Sequence, residues 1–126
     1  LGNTCNLRCR MCNPNSSSLW IKEERQLGIW GHSPAALARL ENLNWLESPE
    51  ALDFIYQNFQ NLDRLNFLGG EPLLIKKHFL LLQKCVELGF AKNIDLQYNS
   101  NMNHLPTELK FLWKNFKSIE VNLSLS

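Results

Sequence analysis

Three stretches of the chain alternate between apolar and polar residues, as the two faces of a β-strand do. They are residues 62–68, 94–101 and 119–126. In the second stretch, Ile94, Leu96 and Tyr98 share one face, and the residues between them are polar. The pattern predicts three strands, each with an apolar and a polar face.

Other segments carry apolar residues at intervals of three and four, which is typical of amphipathic helices. Helices are predicted over 18–27, 76–88 and 106–116, and after Ser33 and Ser48. Each of these two serines precedes a proline, and proline suits the first helical position because its missing N–H would have no partner there. Glycines at 28 and 89 are expected to end helices.

The alternation of strands and helices predicts an α/β fold built from parallel βα units. We expect residues 1–4 to be the tail of a further, first strand. Parallel strands covered by helices on both sides are nearly all apolar. The polar face therefore indicates either a solvated sheet or a partial barrel with a polar interior, and parallel units favour the barrel.

In α/β barrels the active site lies at the carboxyl ends of the strands. Polar side chains lie at the end of each predicted strand or shortly after it: Glu71, Ser100 with Asn101, and Ser124 with Ser126. The sequence therefore predicts a ligand site at one edge of the sheet.

Composition narrows the class of protein. The 126 residues are 44% hydrophobic and 20% charged, with 13 basic and 12 acidic residues and a net charge of +1. This balance is typical of a single globular domain and makes a nucleic acid partner unlikely. There is no signal-peptide pattern and no apolar run of the roughly 18 residues that a membrane span needs. We predict a cytoplasmic location, and we expect the chain to be a piece of a longer protein.

The strongest chemical signal is three cysteines in the spacing C-x3-C-x2-C, at Cys5, Cys9 and Cys12. Thiolates suit an iron-sulfur cluster or zinc. Three ligands would leave one iron of a 4Fe-4S cluster open to a small molecule. Two alternatives remain: a structural zinc site completed by Cys85 or His32, and a disulfide with one free thiol.

These cysteines and the downstream Gly69-Gly70-Glu71-Pro72 resemble the N-terminal part of a radical S-adenosylmethionine (radical SAM) enzyme. Residues 3–14 and 16–20 most resemble the branch that carries a twitch domain. The resemblance implies the first four strands of a six-stranded partial barrel, truncated before the last strands. Its parts would be a cluster loop over 5–12, a helical insertion over 14–60 and βα units over 61–126.

The resemblance also implies the cofactors and the reaction. A 4Fe-4S cluster would bind SAM at its open iron, and one electron from a reductant such as flavodoxin or ferredoxin would cleave SAM. The resulting 5'-deoxyadenosyl radical would abstract hydrogen from a substrate, for which a peptide or protein is the first expectation.

Site residues follow from the same resemblance. Those implied to contact SAM are Met11 near the adenine, Gly69, Gly70 and Glu71 at the amino group, Asn101, and Ser124 or Ser126 at the ribose or carboxylate. Ser100-Asn101-Met102 stands where relatives usually have Thr-Asn-Gly. Outside this set, we expect Cys85 to be a buried core thiol and His32 to be a surface residue.

Overall fold

The computed structural model describes residues 1–43 and 45–125. Within them the chain forms three strands, β1 (Arg64–Phe67), β2 (Asp95–Ser100) and β3 (Ser118–Leu123). The strands are parallel in the order β1-β2-β3, with Leu65 beside Leu96 and Leu96 beside Ile119. The predicted α/β class and parallel pairing are confirmed.

The four-strand expectation is not met, because the described residues contain three strands. The segment 1–4, predicted as the tail of a first strand, has no strand assignment. It still lies along the exit of β1: the amino group of Leu1 donates to the Leu68 carbonyl at 2.7 Å, and the Glu71 amide donates to the Thr4 carbonyl at 2.7 Å.

Five α-helices are present in the same described residues. They are α1 (Ile21–Leu27), α2 (Pro34–Glu41), α3 (Pro49–Asn58), α4 (Lys76–Glu87) and α5 (Thr107–Trp113). Short 3-10 turns lie at Ser18–Trp20, Trp45–Glu47, Phe59–Asn61, Pro72–Leu74 and Ala91–Asn93.

The helix starts predicted at Ser33 and Ser48 and the stop predicted at Gly28 agree with the structure, whereas α5 ends at Trp113, three residues before the predicted end at 116. The hydroxyl oxygens of Ser33 and Ser48 accept backbone N–H groups of α2 and α3 at 3.2 and 3.3 Å. Gly28 adopts a left-handed conformation (φ 60°) and ends α1. These local signals decide the helix boundaries because a serine oxygen and a glycine each satisfy what a helix end lacks.

The core lies on the apolar face of the sheet. Ile94, Leu96 and Tyr98 are fully buried there, together with Leu82 of α4 and Leu109 of α5. The opposite face stays polar and at least partly exposed, as the alternation predicted. On it, side chains pair across strands, for example Gln97 with Glu120 at 2.9 Å and Ser118 with Asp95 at 2.6 Å.

Candidate functional site

The three motif cysteines lie on one irregular loop at the carboxyl edge of the sheet. Cys5, Cys9 and Cys12 are half-buried and not disulfide-bonded. The Cys12 amide donates to the Cys9 carbonyl at 3.0 Å, which closes a turn between the second and third cysteines. Burial, and then the neighbouring thiols of Cys9 and Cys5, raise the pKa of Cys12. The three thiols are therefore close enough to interact electrostatically.

Proximity on the loop is not the same as a formed metal site. Among residues 1–43 and 45–125, no group of three or more His, Cys, Asp or Glu side chains is arranged so that it could hold a metal ion. The spacing brings the thiols onto one loop, and their assignment as cluster ligands stays a prediction.

The segment that follows the loop holds it in place. The Asn3 side-chain amide donates to the Pro14 carbonyl at 2.8 Å, and the Ser17 hydroxyl donates to the Leu7 carbonyl at 2.8 Å. Asn3 and Ser17 are both buried. Trp20 Nε1 donates to the Cys9 carbonyl at 3.3 Å. The start of the predicted insertion thus supports the cysteine loop.

Two tryptophans and an ion pair complete this support. Trp20 and Trp30 pack edge to face, with their ring centroids 5.4 Å apart. The guanidinium of Arg8 forms an ion pair with Glu23 and lies 5.9 Å from the centre of the Trp20 ring. Packing against each other and the hydrogen bond of Trp20 to the cysteine loop account for the position of these tryptophans.

A buried carboxylate on α1, which sequence reasoning missed, organises the next turn. Glu24 accepts hydrogen bonds from the backbone amides of Trp30 at 2.9 Å and His32 at 2.7 Å. Burial opposes its charge, but these amides and the His32 ring outweigh it, and the pKa of Glu24 is lowered. The available signal was its position three residues after Ile21, on the buried face of α1.

His32 is less exposed than expected. Its Nδ1 lies 3.1 Å from Glu24 Oε1, and its Nε2 lies 3.3 Å from the Asn15 side-chain nitrogen. The surface expectation for His32 is therefore corrected: its ring is a structural part of the turn, because Glu24 offers it a buried acceptor.

Gly69 and Gly70 lie against the segment that leads into the cysteine loop. A Cβ on Gly69 would stand 2.4 Å from the Gly2 carbonyl oxygen, and a Cβ on Gly70 would stand 2.1 Å from that of Thr4. Their φ angles, 90° and 42°, are ones that other residues rarely adopt. The two glycines were expected to admit a ligand, and in the structure they admit the chain just before Cys5.

Glu71 is a buried residue whose hydrogen bonds connect the exits of β1 and β2. It is 2% exposed. Its Oε1 accepts from the Ser100 hydroxyl at 2.7 Å and from the Leu73 amide at 3.2 Å, and its Oε2 accepts from the Asn101 amide at 2.8 Å. Its carboxylate is occupied by protein donors, so contact with SAM stays a prediction.

The remaining predicted residues are dispersed around this edge. Asn101 Nδ2 donates to Asn6 Oδ1 at 2.9 Å, which joins the exit of β2 to the cysteine loop. The Ser124 amide donates to the Ser100 carbonyl at 2.8 Å, while Ser124 itself is exposed. Ser126 lies outside the described residues.

Met11 and Cys85 occupy opposite environments. Met11 is 98% exposed on the cysteine loop. Met11 therefore does not serve as a core residue. Cys85 is fully buried in the core, where desolvation raises the pKa of its thiol to about 11. The expectation of a buried core thiol is confirmed.

The fold and the loop together define an α/β chain with a cysteine motif at the carboxyl edge of a parallel sheet. The family model of the radical SAM superfamily matches residues 1–125. The chain belongs to that superfamily, and its membership supports a radical SAM function. Comparison with curated proteins gave no match, and comparison with solved structures gave none. No helix within residues 1–43 and 45–125 is long and apolar enough to cross a membrane.

Proposed function

We propose that the chain is the N-terminal part of a radical SAM enzyme in which Cys5, Cys9 and Cys12 hold a 4Fe-4S cluster that binds SAM. When bound, the cluster and SAM supply a carbon-centred radical that abstracts hydrogen from a substrate. The donor set fits, because the three thiols are free, half-buried and confined to one loop.

One contact carries this proposal. The Glu71 amide donates to the carbonyl of Thr4, the residue before Cys5, at 2.7 Å. It joins the two motifs, about sixty residues apart, at the carboxyl edge of the sheet. A cofactor bound to the cysteine loop would therefore meet the β1 and β2 exits.

The roles of the chain's own residues follow from this arrangement. Gly69, Gly70 and Glu71 hold the loop against the sheet and line the side where the amino group of SAM would bind. Asn101 and Ser124 (or Ser126) follow the next two strands and would bind the rest of the amino acid or the ribose. Met11, exposed on the loop, is free to pack on the adenine.

The finer assignments complete the proposal. We assign the chain to the twitch-domain branch, with a peptide or protein as substrate and flavodoxin or ferredoxin as reductant. Reduced thiols and an oxygen-sensitive cluster suit the cytoplasm.

The test is anaerobic reconstitution with iron and sulfide, followed by reduction and EPR spectroscopy with and without SAM. We expect about four irons and four sulfides per chain and g-values that move when SAM is added. A reduced cluster whose g-values do not move when SAM is added would contradict the proposed SAM site. A single zinc ion with no iron cluster favours the structural zinc module instead.

Cys85 provides a matched control for the cysteine assignment. Cys9→Ala should abolish iron binding, whereas Cys85→Ala should retain it, since Cys85 is buried in the core. Loss of the metal in Cys85→Ala, with the fold intact by circular dichroism, would support the zinc alternative. Replacing His32 by Ala tests the other proposed fourth ligand in the same way.

A further inference from the structure

An amide pair at the edge of the sheet connects a strand exit to the first cysteine. Asn6 Oδ1 accepts from Asn101 Nδ2 at 2.9 Å, and the same oxygen lies 3.9 Å from Cys5 Sγ. Asn6 and Asn101 are 95 positions apart in the chain. The sequence motifs assign no role to Asn6.

The orientation of this pair is set by the chain. The backbone N–H of Asn101 donates to Glu71 Oε2 at 2.8 Å. The side-chain oxygen of Asn101, Oδ1, accepts from the backbone N–H of Asn103 at 3.0 Å. Because a backbone N–H occupies Oδ1, the NH2 group of Asn101 is the end that faces Asn6. Asn6 must therefore present its oxygen, which is also the atom near Cys5.

Different segments hold the two ends of the loop. The side of Cys5 is held by the sheet, through Glu71 to Thr4 and through Asn101 to Asn6. Cys9 is held from the other side by Trp20. A change in the Asn6–Asn101 pair should therefore alter the alkylation rate of Cys5 more than that of Cys12.

We propose that Asn6 is a positioning residue for Cys5, held by Asn101, and that this pair aligns the first cluster ligand with the exit of β2. This inference rests on the proposed function, because it takes Cys5 to be a cluster ligand. Neighbouring polar groups orient metal ligands and tune the bound metal, and Asn6 would act on Cys5 in this way.

The first test uses the full chain without added metal, so that the cysteine thiols are available for alkylation. Native protein is treated briefly with iodoacetamide and digested with trypsin. Cleavage after Arg8 and Arg10 separates the peptide of Cys5 from that of Cys12, so mass spectrometry gives both labelling rates from one sample. The measured quantity is the ratio of the Cys5 rate to the Cys12 rate.

Asn6→Ala should raise this ratio about fivefold, the effect of losing one ordinary hydrogen bond. Asn101→Ala removes the donor toward Asn6 without adding a charge near Cys5, and it should give a similar rise. The double variant should exceed neither single variant, because both act on one contact. Asn115→Ala, which removes an exposed asparagine bonded only to α5 carbonyls, should leave the ratio unchanged.

An unchanged ratio in Asn6→Ala overturns the proposal, and so do effects that add in the double variant. Thermal unfolding of each variant separates positioning from folding: a general loss of stability raises both rates, whereas the proposed role raises the Cys5 rate alone.

The second test uses the reconstituted chain. Asn6→Ala should shift the midpoint potential of the cluster relative to the wild type, and Asn115→Ala should not. If the wild type assembles no cluster, the proposed function fails, while the labelling ratios still decide the role of Asn6. If the wild type assembles a cluster and Asn6→Ala matches it in both tests, only the present inference fails.

Discussion

The hydroxyl of Ser100 donates a 2.7 Å hydrogen bond to the buried carboxylate of Glu71, across 29 positions of the chain. Ser100 also accepts the Met102 amide at 2.9 Å, so its oxygen serves both the carboxylate and the turn after β2. Glu71 in turn holds Asn101. Protein groups alone thereby fix the strand exits to each other.

Glu71→Gln should lower the free energy of unfolding by about 1 to 3 kcal/mol. The change replaces one oxygen by an NH2 group, which must then face one of three N–H or O–H donors. Chemical denaturation measures the loss. Glu87→Gln, an exposed position near the end of α4, should change stability by less than about 0.5 kcal/mol. Equal effects at the two positions would show that the buried carboxylate contributes little.

A double-mutant cycle tests the contact between Glu71 and Ser100 directly. Since the two side chains touch, the losses in Glu71→Gln and Ser100→Ala should not add, and we expect a coupling of about 0.5 to 3 kcal/mol. Strict additivity would mean that the 2.7 Å contact carries no free energy of its own.

Gly70→Ala should be far more disruptive than Gly89→Ala. Both glycines have positive φ, so each change costs about 1 to 2 kcal/mol in backbone strain. Among the residues that the structure describes, nothing lies within 4 Å of a Cβ at Gly89, whereas one at Gly70 would meet the Thr4 oxygen at 2.1 Å. The clash should cost roughly 1 to 3 kcal/mol more. Thermal unfolding compares the variants, and equal melting temperatures would contradict the close approach of residues 2–4.

The pH dependence of stability should carry a contribution from His78. Burial among Phe67, Phe79 and Tyr98 lowers the pKa of this ring to about 4, a hydrogen bond to the Ile75 carbonyl opposes the shift, and the charged amino terminus adds to it. Nε2 of His78 has no hydrogen-bond partner among the described residues. The neutral ring is therefore the folded form.

Proton uptake by the unfolded chain decides whether stability rises or falls with pH. In the unfolded chain His78 is protonated below its ordinary pKa of 6.5, whereas in the folded chain it stays neutral down to about pH 4. The free energy of unfolding therefore falls as the pH drops from 6.5 to about 4. Between pH 7 and pH 5 the loss should be roughly 2 kcal/mol. Denaturation at both pH values measures it. His78→Phe should remove most of this loss, and His104→Gln, at an exposed site, should retain it.

Cys85 should resist alkylation under native conditions. Its thiol is fully buried with a pKa raised to about 11 by desolvation, and the thiolate is the reactive form. Native iodoacetamide treatment should label the three loop cysteines, and the fourth should react only after denaturation. Mass spectrometry counts the labels. Rapid native labelling of Cys85 would contradict its place in the core.

Local sequence determined the secondary elements and one face of the sheet. The serine caps before Pro34 and Pro49, the stop at Gly28 and the alternation around Leu96 act over a few residues, so they can be recognised without knowing the fold. The same is true of Cys5, Cys9 and Cys12, whose spacing places them on one loop.

Only the tertiary structure decided what surrounds these elements. Glu24 and Glu71 look like ordinary charged residues in the sequence, yet folding buries both. The donors to Glu24 come from the adjoining turn, whereas Glu71 accepts from Ser100 and Asn101, about thirty positions away. Gly70 reads as a place for a ligand to approach, but its neighbour is Thr4. Asn6 meets Asn101 only because parallel strands end at one edge. The contacts of Glu71, Gly70 and Asn6 join positions far apart in the chain, and no local pattern encodes them.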